Sequence, residues 1–301
     1  MDWDSLYLRN KQMKVYFLIP TRNRKEKLFA CLHSIGKQTY KDIEIVVVND
    51  GSTDGTGEDL ANDFKNITVL QGDGELWWTG AMRMGVSYLL PQLMDDDFVL
   101  IQNDDTYMEP DFVQTLIDEY KSTKAIIGTT VKDKASGKLI YNAHKIVHGS
   151  FRTTIVDSQE ELLETDTISG RGVLIPSKVF RKIGNFSKLF PQYAADYDFF
   201  CRAKQAGFKL LVSTKAISYS TSNTPNLSKR IKLKEKISIK DVWQLFTNRR
   251  SSNNLWGSTM ITLLYVPWKY KLYGILRIYL YVIKFVVVNW GINGIKFALK
   301  K

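Results

Sequence analysis

Three polar clusters in this chain stand directly after short apolar runs, and their residue types are those that hold phosphates, cations and exchangeable protons. Pro20-Thr21-Arg22 follows the run at residues 15–19, Asn49-Asp50-Gly51 the run at 43–48, and Asn103-Asp104-Asp105 the run at 98–102. Adjacent side chains on extended backbone point opposite ways, so one of Asp104 and Asp105 can face a ligand while its neighbour serves another contact. A hard cation that also binds phosphate uses one or two protein carboxylates; the same residues are also ordinary in solvated turns. Asp196 and Asp198 open a helix whose apolar positions are Phe199, Phe200, Cys201 and Ala203. A carboxylate there can act as general base, or cap the helix for about 1 kcal/mol. Trp77-Trp78 stand ahead of Thr79, Gly80 and Arg83. Aromatic faces suit sugar rings or bases, and an arginine at a helix start can reach a diphosphate; core packing is the competing use of the same residues.

Several other chemistries are excluded. The segment Asp50 to Ala61 has no glutamate at its twelfth position and follows a strand pattern, so it is not an EF-hand. Gly72-Asp73-Gly74 lacks the third glycine of a dinucleotide fingerprint, and no phosphate-binding GxxxxGK[ST] loop occurs. No GxSxG elbow is present. His144 and His148 have i,i+4 spacing without an HExxH frame, which argues against zinc. Cys31 and Cys201 sit among apolar residues with no CxxC spacing, as buried reduced thiols do.

The elements that must position these groups alternate. Strand patterns at residues 15–19, 43–48, 67–70, 98–102 and 125–129 are interleaved with helical spacing at 26–37, 54–64, 79–90 and 111–120. The pattern weakens over 131–168. A strand at 170–175, helices at 177–183 and 195–206 and a strand at 209–213 follow. Such alternation predicts an α/β fold with a Rossmann-like, mostly parallel central sheet. In open sheets of this kind ligands bind outside the carboxyl ends of the strands, where the three polar clusters lie.

Taken in order, these pieces resemble family 2 glycosyltransferases of the GT-A fold over residues 13–220, in particular inverting enzymes of bacterial surface-polysaccharide synthesis. Phe17 to Arg24 (FLIPTRNR) looks like the family's first strand and base-binding turn, Ile45 to Thr56 (IVVVNDGSTDGT) like its second strand and loop, and Asn103-Asp104-Asp105 like its DxD-type position with Asn in the first slot. The resemblance implies that Pro20, Thr21, Arg22 and Asp50 hold the donor base, that Asp104 contacts the ribose, and that Arg83 assists with the donor nucleotide. It implies that Asp105 binds Mg2+ or Mn2+ and that Asp196, closing Gln192-Tyr193-Ala194-Ala195-Asp196, is the base; by residue type and position, Trp77, Trp78 and Asp198 are expected to contact sugar or acceptor, with Asp198 the alternative base. Ala195 stands where relatives often carry Glu. The histidine that many relatives carry after the following strand is missing from Ile217-Ser218-Tyr219-Ser220, which leaves the cation to Asp105, diphosphate and water. The implied partners are a UDP- or dTDP-sugar and a glycan or lipid-linked glycan acceptor.

Charge divides the chain. Residues 227–301 hold 15 Lys and Arg against 2 Asp and Glu, whereas residues 1–226 hold 27 against 29. We therefore expect a catalytic domain at 1–226, a linker at 221–228, and a C-terminal helical extension at 227–301. The extension is rich in Leu, Ile, Val, Tyr and Trp, broken by Lys269, Lys271, Arg277 and Lys284, and its uncharged runs are shorter than the roughly 18 residues of a spanning helix. This composition predicts amphipathic helices on an anionic membrane surface, with a packed cap or homodimer interface as the competing use. No apolar leader is read at the start, so the expected location is cytoplasmic, peripheral on the inner face of the cell membrane. The near-neutral first part argues against nucleic acid. A nucleotidylyltransferase would want a Gly-rich loop after the first strand, which Pro20-Thr21-Arg22-Asn23-Arg24 is not.

Overall fold

The computed structural model describes residues 13–147, 152–156, 158–220, 243, 246–248 and 254–287. Strands and helices alternate through the first part: β1 (Val15–Thr21), α1 (Lys25–Gly36), β2 (Ile43–Asn49), α2 (Thr56–Asp63), β3 (Thr68–Gln71), α3 (Trp77–Leu89), β4 (Phe98–Ile101), β5 (Thr106–Met108), α4 (Phe112–Thr123) and β6 (Ile126–Asp133). Four short strands follow, β7 (Leu139–Tyr141), β8 (His144–Val147), β9 (Arg152–Ile155) and β10 (Leu162–Glu164). Then come β11 (Val173–Pro176), α5 (Ser177–Ile183), α6 (Ala195–Gln205), β12 (Leu210–Ser220), α7 (Leu255–Tyr265) and α8 (Trp268–Val287).

Among the described residues ten strands form one sheet, ordered β10-β12-β6-β11-β4-β1-β2-β3, with β5 on β12 and β7 on β6. The run β4-β1-β2-β3 is parallel, and β11 is antiparallel to both β4 and β6. Strand β1 is continuously apolar because both of its faces are covered. Val15, Phe17 and Ile19 enter a core with Leu28 and Leu116 from α1 and α4, and Leu18 enters a second core with Met82 and Phe199 from α3 and α6. Parallel strands with covered faces leave only their ends for polar groups, which is why Thr21, Asp50 and Asp104 converge. Both cysteines are buried free thiols, and burial pushes Cys31 up to about 12.

Strand β12 runs past the expected residue 213 to Ser220. A register shift between Ser213 and Ile217 interrupts its pairing with β6. Ser213 Oγ accepts the amides of Lys215 and Ala216 there, which satisfies the irregular backbone. The expected linker at 221–228 and the chain start lie outside the described residues. Helix α7 begins under a cap, Asn254 Oδ1 accepting the Gly257 amide at 2.6 Å, and buries Ile261 and Thr262. Among the described residues, no helix is long and apolar enough to cross a membrane.

Candidate functional site

At the end of β1, Thr21 Oγ1 donates to Asp104 Oδ2 at 2.9 Å. Arg24 Nη1 donates to Asp104 Oδ1 at 2.9 Å and to Asp105 Oδ2 at 3.3 Å. Both aspartates are buried. Burial raises the Asp104 pKa, and the Arg24 charge and the hydrogen bonds from Arg24 and Thr21 offset that in part. Arg24 was not singled out for a role in the sequence, yet two buried carboxylates at one strand end need a cation, and the Arg-Asn-Arg of the first loop was the available signal. Arg22 is exposed and donates to the Gly74 carbonyl. Pro20 pairs with Val48 at the end of the β1–β2 ladder.

Asp50 caps the start of α3. Its Oδ1 accepts the amides of Gly74 (2.8 Å) and Leu76 (3.2 Å), and its Oδ2 accepts the Trp77 amide at 3.0 Å. A carboxylate has about four acceptor positions, so an expected bond to a base or ribose has one left. The carboxylate sits at the positive end of α3 and stabilises it. The loop packs so closely that a Cβ on Gly51, whose φ is +62°, would lie 2.8 Å from the Gly74 nitrogen.

Across the cleft, Asp196 in the first turn of α6 is half-buried. Its Oδ2 accepts the Gly170 amide at 3.0 Å and its Oδ1 the Tyr197 amide at 2.9 Å. Burial pushes its pKa above the usual carboxylate value, and the two amides and Arg171 pull it partly back. Trp78 links this wall to the strand end: its Nε1 donates to Asn103 Oδ1 at 3.1 Å and its backbone amide to Gln192 Oε1 at 2.8 Å. A Cβ on Gly170 would meet Trp78 Cζ2 at 2.6 Å and Asp196 Cβ at 3.6 Å. Asn103, Trp78, Gly170 and Asp196 are therefore contiguous. Asn103, Gly170 and Gln192 were given no role of their own at the sequence level. Asn23, Trp77 and Ala194, three non-glycine residues with positive φ (51°, 57° and 69°), flank the strand-end loop, α3 and α6; strained backbone of this kind clusters at functional sites.

Arg83, Asp198 and the tryptophans all have partners within the fold. Arg83 is not at a helix start: α3 begins six residues earlier, and its guanidinium donates to the Phe186 carbonyl rather than into the cleft. Asp198 points inward, buried between Arg202 Nε at 3.0 Å and the Tyr265 hydroxyl at 2.5 Å, because two helix positions, about 200° of rotation, turn it to the face opposite Asp196. The Trp78 indole is half-buried and packs edge-on against Phe186, with centroids 5.5 Å apart. Trp77 is part-buried, beside Glu75.

The strand end fits a divalent cation in one respect that can be tested on its atoms: Asp105 Oδ1 is buried and has no hydrogen-bond partner. A bound cation would satisfy it. No group of three or more His, Cys, Asp or Glu is arranged to hold a metal among the described residues, so Asp105 would hold the ion with phosphate and water completing its shell.

The family model for glycosyl transferase family 2 matches residues 16–184. The chain is 30% identical over 186 residues to the glycosyltransferase GlyA of Streptococcus pneumoniae serotype 4, covering 56% of this chain and 25% of GlyA. It is 25% identical over 224 residues to the O-antigen chain rhamnosyltransferase RfbN of Salmonella typhimurium, covering 71% of this chain and 68% of RfbN. The chain thus spans only a quarter of one relative and about two thirds of the other. Among solved structures, S. aureus TarS 1-349 superposes with a TM-score of 0.51 at 22% identity, over 69% of this chain and 60% of that one, a likeness of fold. With a GT-A-like sheet, polar groups at its parallel strand ends and a family match over more than half its length, the chain belongs to glycosyl transferase family 2.

Proposed function

We propose that the chain is a metal-dependent, inverting glycosyltransferase that moves a sugar from a UDP- or dTDP-linked donor to an acceptor hydroxyl. The observation that carries this is Asp196: a carboxylate of raised pKa, fixed by two amides, on a wall continuous through Trp78 with the Asn103-Asp104-Asp105 strand end. Asp196 removes the acceptor proton as the acceptor oxygen bonds the anomeric carbon and the bond to the diphosphate breaks on the opposite face. Thr21 and Arg24 fix the Asp104 carboxylate for the donor, and holding both substrates in one orientation supplies much of the acceleration. A cation on Asp105 would supply Lewis-acid relief of charge on the leaving diphosphate.

The similarity to RfbN, an O-antigen chain rhamnosyltransferase, supports a surface-polysaccharide acceptor, lipid-linked in our reading. Helix α8 supports attachment to an anionic membrane surface from the cytoplasmic side: Trp268, Leu272, Leu276 and Leu280 are exposed along it, with Lys269 and Lys284 exposed beside them. Sedimentation with phosphatidylglycerol vesicles, reversed by salt and weak with phosphatidylcholine, is the expected result. Equal binding to both would remove the electrostatic part, and a concentration-dependent dimer that binds neither would favour the interface between copies.

The donor is tested by thermal shift with UDP-, dTDP- and other nucleotide sugars, with Mn2+ or Mg2+. A donor at 100 times its Kd stabilises by about 2.7 kcal/mol. We expect one donor to raise the melting temperature in a metal-dependent way and to be turned over with inversion, read by NMR of the anomeric proton. No shift and no turnover with any donor would sink the reading.

A further inference from the structure

The tail is built into the acceptor side of the site. Phe190, Ala195 and Ile261 form a small buried cluster, against which Trp78, Tyr197 and Tyr265 pack. Ile261 and Tyr265 come from α7, Trp78 from α3, Phe190 from the segment that leads into α6, and Ala195 and Tyr197 from the first turn of α6. At the end of α7 the Tyr265 hydroxyl donates to Asp198 Oδ1 at 2.5 Å and lies 3.3 Å from the Asp198 carbonyl oxygen. The other Asp198 oxygen accepts Arg202 Nε, and the same guanidinium donates to the carbonyls of Ile183 and Asn185 at 2.8 and 3.0 Å. One side chain from the tail thus closes a network that grips the first turn of α6.

That turn needs an outside restraint. Its N-cap, Ala194, has φ +69° and no side chain able to accept an amide. Left-handed backbone is disfavoured in a residue with a Cβ and persists only where the surroundings impose it. Asp196 supplies one restraint through the Gly170 amide, but its other oxygen is spent on the Tyr197 amide within the turn, so a second anchor falls to Asp198.

We propose that Tyr265 is a positioning residue for sugar transfer: its hydroxyl, bonded to Asp198, fixes the first turn of α6 and through it the direction of the Asp196 carboxylate toward the acceptor. This rests on Asp196 being the base. It makes α7 a working part of the catalytic unit, although the charge division of the chain assigns it to the tail. It also gives Asp198 a role that does not touch substrate.

The test uses the full chain with Tyr265→Phe, which keeps the ring in the apolar cluster and removes only the hydroxyl. Hydrogen exchange of the peptide covering residues 189–200 is read without donor or acceptor, and UDP affinity with Mn2+ is measured by calorimetry. Turnover is followed on the donor that the nucleotide-sugar panel identifies. We expect faster exchange in 189–200 with residues 15–50 unchanged, UDP affinity within about twofold of wild type, and kcat down roughly tenfold or more at unchanged donor KM. A residue that only adds stability would lower the melting temperature and leave kcat intact well below it. Unchanged exchange in 189–200, or faster exchange with unchanged kcat, overturns the proposal while leaving the transferase reading in place. A wild-type chain that turns over no donor overturns both, whatever the exchange shows.

Discussion

Asp196→Asn separates proton transfer from folding, because the two roles of this carboxylate predict different readouts. Asp196 accepts one amide on each oxygen, from Gly170 and Tyr197. Asparagine keeps one acceptor, and its amide nitrogen opposes the other N–H, which loses a charge-assisted bond worth about 1.5–3 kcal/mol. An opposite effect comes from burial. The folded pKa lies above the unfolded value, so the folded chain binds the proton more tightly. The stability this confers is present at low pH and is lost as pH rises from the unfolded value through the raised folded one. At neutral pH the ionised carboxylate is a cost that the neutral amide removes. The two effects oppose each other, and 1 kcal/mol moves the melting point of a domain this size by about 2–4 °C, so a net change under about 4 °C is expected. Loss of a general base lowers the rate by about 10²–10⁴, or roughly 3–5.5 kcal/mol of barrier. The assay is nucleoside diphosphate release across pH, with melting curves at each point. The wild type should lose activity as pH falls through the raised Asp196 pKa, and the variant should have low activity and no such limb. A variant within about threefold of wild type with the acid limb intact would refute the base assignment. A melting point lower by more than about 10 °C would refute the account of its hydrogen bonds.

Asp105→Asn should abolish Mn2+-dependent UDP binding in calorimetry with little loss of stability, since the Oδ1 it alters has no partner in the fold; chelation of the wild type with EDTA should have the same effect, and metal-independent affinity equal to wild type would count against the assignment. Asp50→Ala leaves the amides of Gly74, Leu76 and Trp77 without their acceptor. At about 1–3 kcal/mol for a buried unsatisfied group, it should lower the urea midpoint clearly as well as weaken UDP binding, and a midpoint equal to wild type would contradict the capping role. Gly170→Ala drives a methyl into the Trp78 ring, so it should lower kcat more than it lowers UDP affinity; full activity would show that the wall yields.

The strands that carry the site were legible because each is a continuous apolar run closed by a polar cluster, the pattern of a parallel strand covered on both faces. Helices α1, α3, α5 and α6 were legible through their spacing, and their bounds moved by two residues or fewer. Strand β5 is three residues long, and β7 to β10 are three or four each in the stretch where periodicity fades; such pieces are held by pairing with distant chain, not by local pattern. The same limit applies within the site. Residue types identified Asp50, Asp104, Asp105 and Asp196 as the carboxylates of interest. What each one bonds is decided by partners 24 to 27 residues away for Asp50, 80 for Arg24 with Asp104, and 67 for Asp198 with Tyr265. Asp198 shows this most clearly, since a helix-start aspartate two positions from the base has nothing in its neighbourhood to reveal that a tyrosine of the tail closes over it.

The way α3 begins also decides how a diphosphate can be met in this cleft. Helix N-termini in α/β proteins commonly offer free amides to an anion. Here those amides are taken: Leu76 and Trp77 bond Asp50, Trp78 bonds Gln192, and the Thr79 amide donates to the Pro191 carbonyl at 3.3 Å. The helix end therefore brings no free donor, and the Asp50 charge offsets its dipole. Arg83, the arginine expected to help, is committed to the Phe186 carbonyl. Among the described residues, the ends of β1 and β4 carry positive charge on Arg22 and Arg24, and a cation on Asp105 would add to it. Asp105 Oδ1 is the one oxygen among those of Asp50, Asp104, Asp105 and Asp196 that the fold leaves without a hydrogen bond. The fold satisfies seven of these eight buried or half-buried oxygens internally and leaves the eighth at the end of β4, which is why the Asp105 experiment tests the proposed cation more directly than any change at Asp50.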